Sequence, residues 1–170
     1  NSDGRLKSLE ALVRWDHSSR GRINPSEFIP IAERSRLIHD LGMVVLRQVC
    51  FDMAGLPHVR VNVNVSARQL QLGHFQQDYL GIVTEAGVHP SRITLEITES
   101  SLLEASGDLN DRIKTLRDAG FSIALDDFGM GYSEFNQLRT MPFDIIKIDK
   151  SYIQSLGIDK VTDIFVSAVV

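Results

Sequence analysis

Two adjacent acids, Asp126 and Asp127, stand at the end of an apolar run and lead into Phe128-Gly129-Met130-Gly131. An isolated Asp-Asp pair so placed reads as a turn with a helix cap. This pair has company, because Glu10, Asn64 and Glu96 fall near the C-terminal ends of three other apolar runs. Oxygen donors without Cys or His suit Mg²⁺, Mn²⁺ or Ca²⁺ rather than zinc, and four carboxylates suffice for two ions. Lys147 follows Ile145-Ile146, so its ammonium is either an internal counter-ion for the acids or a group that orients water, and Asp149 shares its face. Successive strand residues point opposite ways, so both acids face one site only where the backbone leaves the sheet, a turn that the glycines permit. Gly129-Met130-Gly131 lacks the surroundings of a phosphate-binding glycine motif and reads as a mobile flap. His17, His39, His58, His74 and His89 show no ligand-type spacing and are expected in loops or at the surface.

The elements that must position these groups are five β-type runs, at 6–13, 59–65, 93–97, 122–126 and 144–148, separated by helical patterns. Asn24-Pro25-Ser26-Glu27 opens a helix, with Asn capping, Pro in the first turn and Glu27 reaching back. The run 38–54 sets Leu41, Val45, Cys50 and Met53 on one buried face, and patterns at 75–87 and 109–120 each end at a glycine. Strands alternating with such helices imply parallel pairing, right-handed crossovers and an α/β fold. In the second run Val59, Val61, Val63 and Val65 alternate with Arg60, Asn62, Asn64 and Ser66, and in the first Glu10, Leu12 and Arg14 share a face. A solvated sheet face accounts for such polarity in a free-standing antiparallel sheet. Helical crossovers point instead to a closed barrel whose polar residues meet inside and pair or bind metal. Trp15 ends the first strand and is expected to pack against the following loop, and Cys50 belongs in the core.

Composition bounds the rest. With 170 residues, 43% hydrophobic and 24% charged, the chain is an ordinary folded domain rather than a disordered segment. Its net charge of −4 and lack of a basic run exclude a long nucleic acid as partner. No apolar stretch approaches the roughly 18 residues of a membrane helix, and the start lacks the regions of a signal peptide. A cytoplasmic chain without membrane contact is expected.

Glu10-Ala11-Leu12-Val13-Arg14-Trp15, Asn64-Val65-Ser66, Leu95-Glu96-Ile97-Thr98-Glu99, Asp126-Asp127-Phe128-Gly129 and Ile146-Lys147-Ile148-Asp149 together resemble the EAL-type cyclic di-GMP phosphodiesterases. The resemblance implies a (β/α)8 TIM-like barrel in a bacterial signalling protein that hydrolyses cyclic di-GMP to linear pGpG by a two-metal in-line mechanism. By the same resemblance Glu10, Asn64, Glu96, Asp126 and Asp127 are metal ligands for Mg²⁺ or Mn²⁺, in two ions. Lys147 assists the attacking water, and Glu99 holds the glycine loop. Arg14, Leu12 and Asp149 bind substrate, Arg14 through phosphate. Complete barrels run about 250 residues, so residues 1–170 are expected to form a single, incomplete domain with five strands of eight, lacking strands at both ends. Met130 stands for the threonine usual in the loop, and Glu134-Phe135 for small and aliphatic residues. A catalytically inactive receptor for cyclic di-GMP, or a protein-interaction module, is the alternative. The resemblance leaves room for a homodimer and for regulatory or diguanylate cyclase domains elsewhere in a parent chain.

Overall fold

The computed structural model describes residues 6–104, 109–129 and 141–169. Strand β1 (Ser8–Ala11) is followed by a hairpin of β2 (Trp15–His17) and β3 (Gly21–Ile23), then helices α1 (Pro25–Arg34) and α2 (Ile38–Asp52). Next come β4 (Arg60–Asn64), the short α3 (Ala67–Leu70), α4 (Phe75–Glu85), β5 (Ile93–Thr98), α5 (Glu99–Glu104) and α6 (Leu109–Asp118). Strands β6 (Ser122–Phe128) and β7 (Ile145–Ile148) and helices α7 (Lys150–Gln154) and α8 (Lys160–Val169) complete the described elements. Five strands pair in parallel in the order β1-β4-β5-β6-β7, curling into half of a barrel.

Alternation decides which face is dry. Val61 and Val63 of β4, Ile93, Leu95 and Ile97 of β5, and Ile123 and Leu125 of β6 are buried in a single core. Against them pack Leu46, Val49, Cys50 and Met53 of α2 and the turn after it, Tyr79, Ile82 and Val83 of α4, and Ile113 and Leu116 of α6. Burying each large aliphatic side chain contributes about 1.5–3 kcal/mol, so register is strongly specified: a one-residue slip would move this set to the polar face.

Several local expectations are corrected. Strand pairing in the first run ends at Ala11, so Leu12 and Arg14 lie in the connection beyond β1 rather than on a strand face with Glu10. The chain turns there because Trp15–His17 pairs antiparallel with Gly21–Ile23. Trp15 thus begins a strand, and its ring meets Phe28 edge-on at 5.6 Å. Asn24 caps α1 by accepting from Ser26 N, but Glu27 accepts from Arg20 at 2.9 Å. The buried face of α2 runs through Leu46 and Val49, with Leu41 and Val45 only half-buried. His39 is no surface residue: it is 6% exposed, in the first turn of α2. The expectations for Met130, Gly131, Glu134 and Phe135 lie outside the described residues.

Candidate active site

Parallel register sets the polar residues side by side, with Glu10 opposite Asn62 and Asn64 opposite Glu96. Asn64 Nδ2 donates to Glu10 Oε1 at 3.1 Å, and Asn62 Nδ2 donates to Glu96 Oε1 at 2.8 Å. Glu96, only 1% exposed, takes a second contact at Oε1 from Lys147 Nζ, at 2.8 Å. The same ammonium donates to Asp126 Oδ2 at 3.0 Å. Glu96 Oε2 is buried and has no hydrogen-bond partner among the described residues. Such an oxygen is costly unless a cation or donor meets it.

Asp126 and Asp127 reach this cluster through a device other than the glycine turn expected from the sequence. Leu125 pairs with Ile146 and Phe128 with Ile148, so both acids stand opposite Lys147 alone, in a β-bulge within β6. Bulges re-aim side chains in this way. Asp127 takes the left-handed conformation at φ +54°, and its N–H donates to Asp126 Oδ1 at 3.0 Å. Aspartate is one of the few residues with a side chain that tolerates this region.

The electrostatics match the crowding. Burial pushes the Glu96 carboxyl above its usual range, Lys147 pulls it back, and the Asp126 and Glu10 charges raise it further. Asp127 is likewise held high, by desolvation first and then by Asp126, Asp149 and Glu10. Burial lowers Lys147, but its hydrogen bonds to Glu96 and Asp126 carry the net shift upward. Glu10, Asp126, Asp127, Glu96, Asp149 and Lys147 therefore feel one another's charge.

Glu99, which starts α5, is buried and accepts from Gly129 N at 2.8 Å through Oε2. From the other side Tyr152 donates its hydroxyl to Gly129 O at 2.7 Å. Gly129 is at φ +101°, and a Cβ there would run into the Tyr152 ring, so this position requires glycine. Tyr152 was not singled out from the sequence; the Asp149-Lys150-Ser151 start of α7, a cap signal, was the available clue. Asp149 caps α7, accepting from the Ser151 hydroxyl and from Ser151 N at 2.8 Å, and these bonds, the hydroxyl's first, hold its carboxyl below the usual range. Leu12 and Arg14 line a cavity of about 360 Å³ that Asn64, Glu96 and Thr98 also line. Arg14 is exposed there, one N–H donating to its neighbour's carbonyl, Val13 O, at 2.9 Å. Neither Leu12 nor Arg14 is hydrogen-bonded or ion-paired to the carboxylates among the described residues, whereas Glu10, Asn64, Glu96, Asp126 and Lys147 are directly linked in two groups.

His39 departs from expectation, whereas His74 is exposed in the turn before α4 as expected. His39 Nε2 lies 2.8 Å from Asp78 Oδ2, and His74 Nε2 lies 3.8 Å from the same oxygen. No helix among the described residues is long and apolar enough to cross a membrane.

Residues 1–170 match the family described as EAL domain. The chain is 36% identical over 160 residues to the cyclic di-GMP phosphodiesterase NbdA of Pseudomonas aeruginosa, covering 91% of this chain and 20% of that protein. It is 32% identical over 172 residues to the cyclic di-GMP phosphodiesterase PdeL of Escherichia coli, covering 98% and 48%. Among solved structures, the PaMucR phosphodiesterase in complex with c-di-GMP superposes with a TM-score of 0.84 at 32% identity, over 97% of this chain and 69% of that one. The chain thus spans less than half the length of each of these two curated relatives.

Proposed function

The chain belongs to the EAL domain family, and from that premise we propose that it is the catalytic part of a metal-dependent phosphodiesterase that opens cyclic di-GMP to linear pGpG. The observation that carries this reading is the convergence of Glu10, Asn64, Glu96, Asp126, Asp127 and Lys147 at one end of a parallel sheet, the end where barrel enzymes hold their sites. The donor set fits hard divalent ions: four carboxylates and an amide oxygen, with Glu96 Oε2 buried and unpartnered among the described residues. Glu10, Asn64, Glu96, Asp126 and Asp127 would hold two Mg²⁺ or Mn²⁺ ions, which when bound supply charge neutralisation at phosphate and a water of lowered pKa.

The protein's own groups do the rest of the work. Lys147 Nζ, held between Glu96 and Asp126, would orient the water that attacks phosphorus as one P–O bond breaks. Arg14 offers a guanidinium whose paired N–H groups match phosphate oxygens. Leu12 contributes an apolar wall to the same cavity. Glu99 fixes Gly129 and so keeps the bulge that presents Asp127. Asp149, capping α7 two residues after Lys147, adds negative charge that Asp127 feels. The setting proposed is cytoplasmic.

The test is an assay of the protein that carries this domain with cyclic di-GMP and Mg²⁺ or Mn²⁺. Turnover to pGpG, abolished by a chelator and by Asp127→Asn with the fold retained, is the expected result. Binding of cyclic di-GMP without turnover would make the domain a receptor. Absence of both would leave an interaction module.

A further inference from the structure

The two histidines and the aspartate on the helical layer make no part of the carboxylate cluster. His39 lies in the first turn of α2, His74 precedes α4, and Asp78 is four residues further along α4. Each offers one ligand atom, and these atoms all lie within 4.8 Å of one another. We propose that His39, His74 and Asp78 form a second metal site, for one borderline transition ion of the zinc type, tying α2 to α4.

A simpler account is a hydrogen bond between His39 Nε2 and Asp78 Oδ2, whose 2.8 Å separation fits one. It leaves the place of His74 outside the account. His74 Nε2 stands 3.8 Å from that same oxygen, beyond hydrogen-bond reach, yet the ring is turned edge-on to His39, with centroids 5.1 Å apart and planes at 90°.

Coordination accounts for the spacing. Ligands about 2.0–2.1 Å from a tetrahedral zinc ion lie roughly 3.3–3.4 Å apart, and the observed 2.8 and 3.8 Å separations straddle that value. The third side of the triangle, between the two histidine ligand atoms, is within 4.8 Å, and His74, its side chain 59% exposed, is free to move to close it. That exposure also leaves the fourth position open to water. Two nitrogens and one oxygen favour Zn²⁺, Co²⁺, Ni²⁺ or Cu²⁺ over the Mg²⁺ or Mn²⁺ suited to the carboxylate cluster. The i, i+4 spacing of His74 and Asp78 puts both on one helix face, and the third ligand comes from a segment that only folding brings near.

The site stands apart from the phosphodiesterase reading, and its test avoids the catalytic residues. The 170-residue chain is titrated with Zn²⁺ alone in the presence of excess Mg²⁺, with binding read by calorimetry and by the thermal midpoint. Co²⁺ serves as a spectroscopic substitute. The expected result is one equivalent of Zn²⁺ bound, a raised midpoint, and the intense visible absorption of tetrahedral cobalt. His74→Ala, which removes a mostly exposed side chain that makes no cap hydrogen bond, should fold and lose at least about tenfold in Zn²⁺ affinity, one of three protein ligands being gone. His39→Gln keeps a donor toward Asp78 and should lose the cobalt band as well. No Zn²⁺ uptake in the parent, or equal affinity and midpoint shift in His74→Ala, would overturn the proposal.

Discussion

Arg14 sits where the cavity opens, its guanidinium exposed and engaged with the neighbouring Val13 carbonyl rather than a carboxylate. Arg14→Ala should therefore spare the fold and weaken cyclic di-GMP binding by about 1.5–3 kcal/mol, the range for a charge-assisted hydrogen bond. Equilibrium titration checks this, and unchanged affinity would place Arg14 outside the ligand's reach. Glu96 gives a pH signature. Its carboxyl is raised above the ordinary 4.5 by burial, so the folded state binds more protons than the unfolded state between those values. Stability then falls as pH rises through that window, because the ionised form is the one that burial penalises. Glu96→Gln cannot ionise and should lack this component. Thermal midpoints in chelator, parent against variant, should diverge in the variant's favour as pH rises above 4.5 and run parallel once Glu96 is fully ionised. At this scale the oxygen donors were legible as a set, since Glu10, Asn64, Glu96, Asp126 and Asp127 are polar residues at the ends of apolar runs. The bulge was not. It depends on how β7 pairs with β6, a long-range register that no local pattern in Leu125-Asp126-Asp127-Phe128 encodes.

Helix α2 crosses α3 and α4 at Gly42, where an added Cβ would collide with the Gln69 amide and the Tyr79 hydroxyl. Those two groups are fully buried, and Gln69 Nε2 donates to Tyr79 Oη at 3.0 Å. Alanine is the better helix former by about 1 kcal/mol, but overpacking a buried contact costs about 1–3 kcal/mol and breaking the Gln69–Tyr79 bond adds to it. Gly42→Ala should be destabilising in chemical denaturation, and a stabilised variant would show that the helices can move apart. Long elements were readable because apolar periodicity and terminal glycines mark them, as at Gly87 and Gly120, both at positive φ. The β2–β3 hairpin was unreadable for the opposite reason: its strands are three residues each, too short for alternation to register. The capping box of α3, Ser66 with Gln69, sits in a helix of four residues and was hidden in the same way.

The sheet as a whole has β1 and β7 at its two edges among the described residues, with Leu9, Ile145 and Ile146 exposed there. Unpaired edges carrying apolar side chains template association. The 170-residue chain should gain mass with concentration in sedimentation, and Ile146→Lys should lessen that gain. A monomer at every concentration would mean that the edges are protected by means other than pairing.

Sheet order also follows chain order, each parallel strand lying beside the one made just before it, with β5 at the centre. On a ribosome, which delivers the N-terminal part first, Glu10 and Asn64 can pair as soon as β4 emerges, and Glu96 is buried when β6 covers its strand. Lys147 is the last of the cluster to be synthesised. Until it arrives the newborn sheet holds its carboxylates with no ammonium between them, so the growing chain carries its greatest electrostatic burden just before the strand that relieves it. A nascent chain arrested ahead of Ile145 should accordingly be protected from proteolysis more strongly in divalent cation than the same chain released with Lys147 in place.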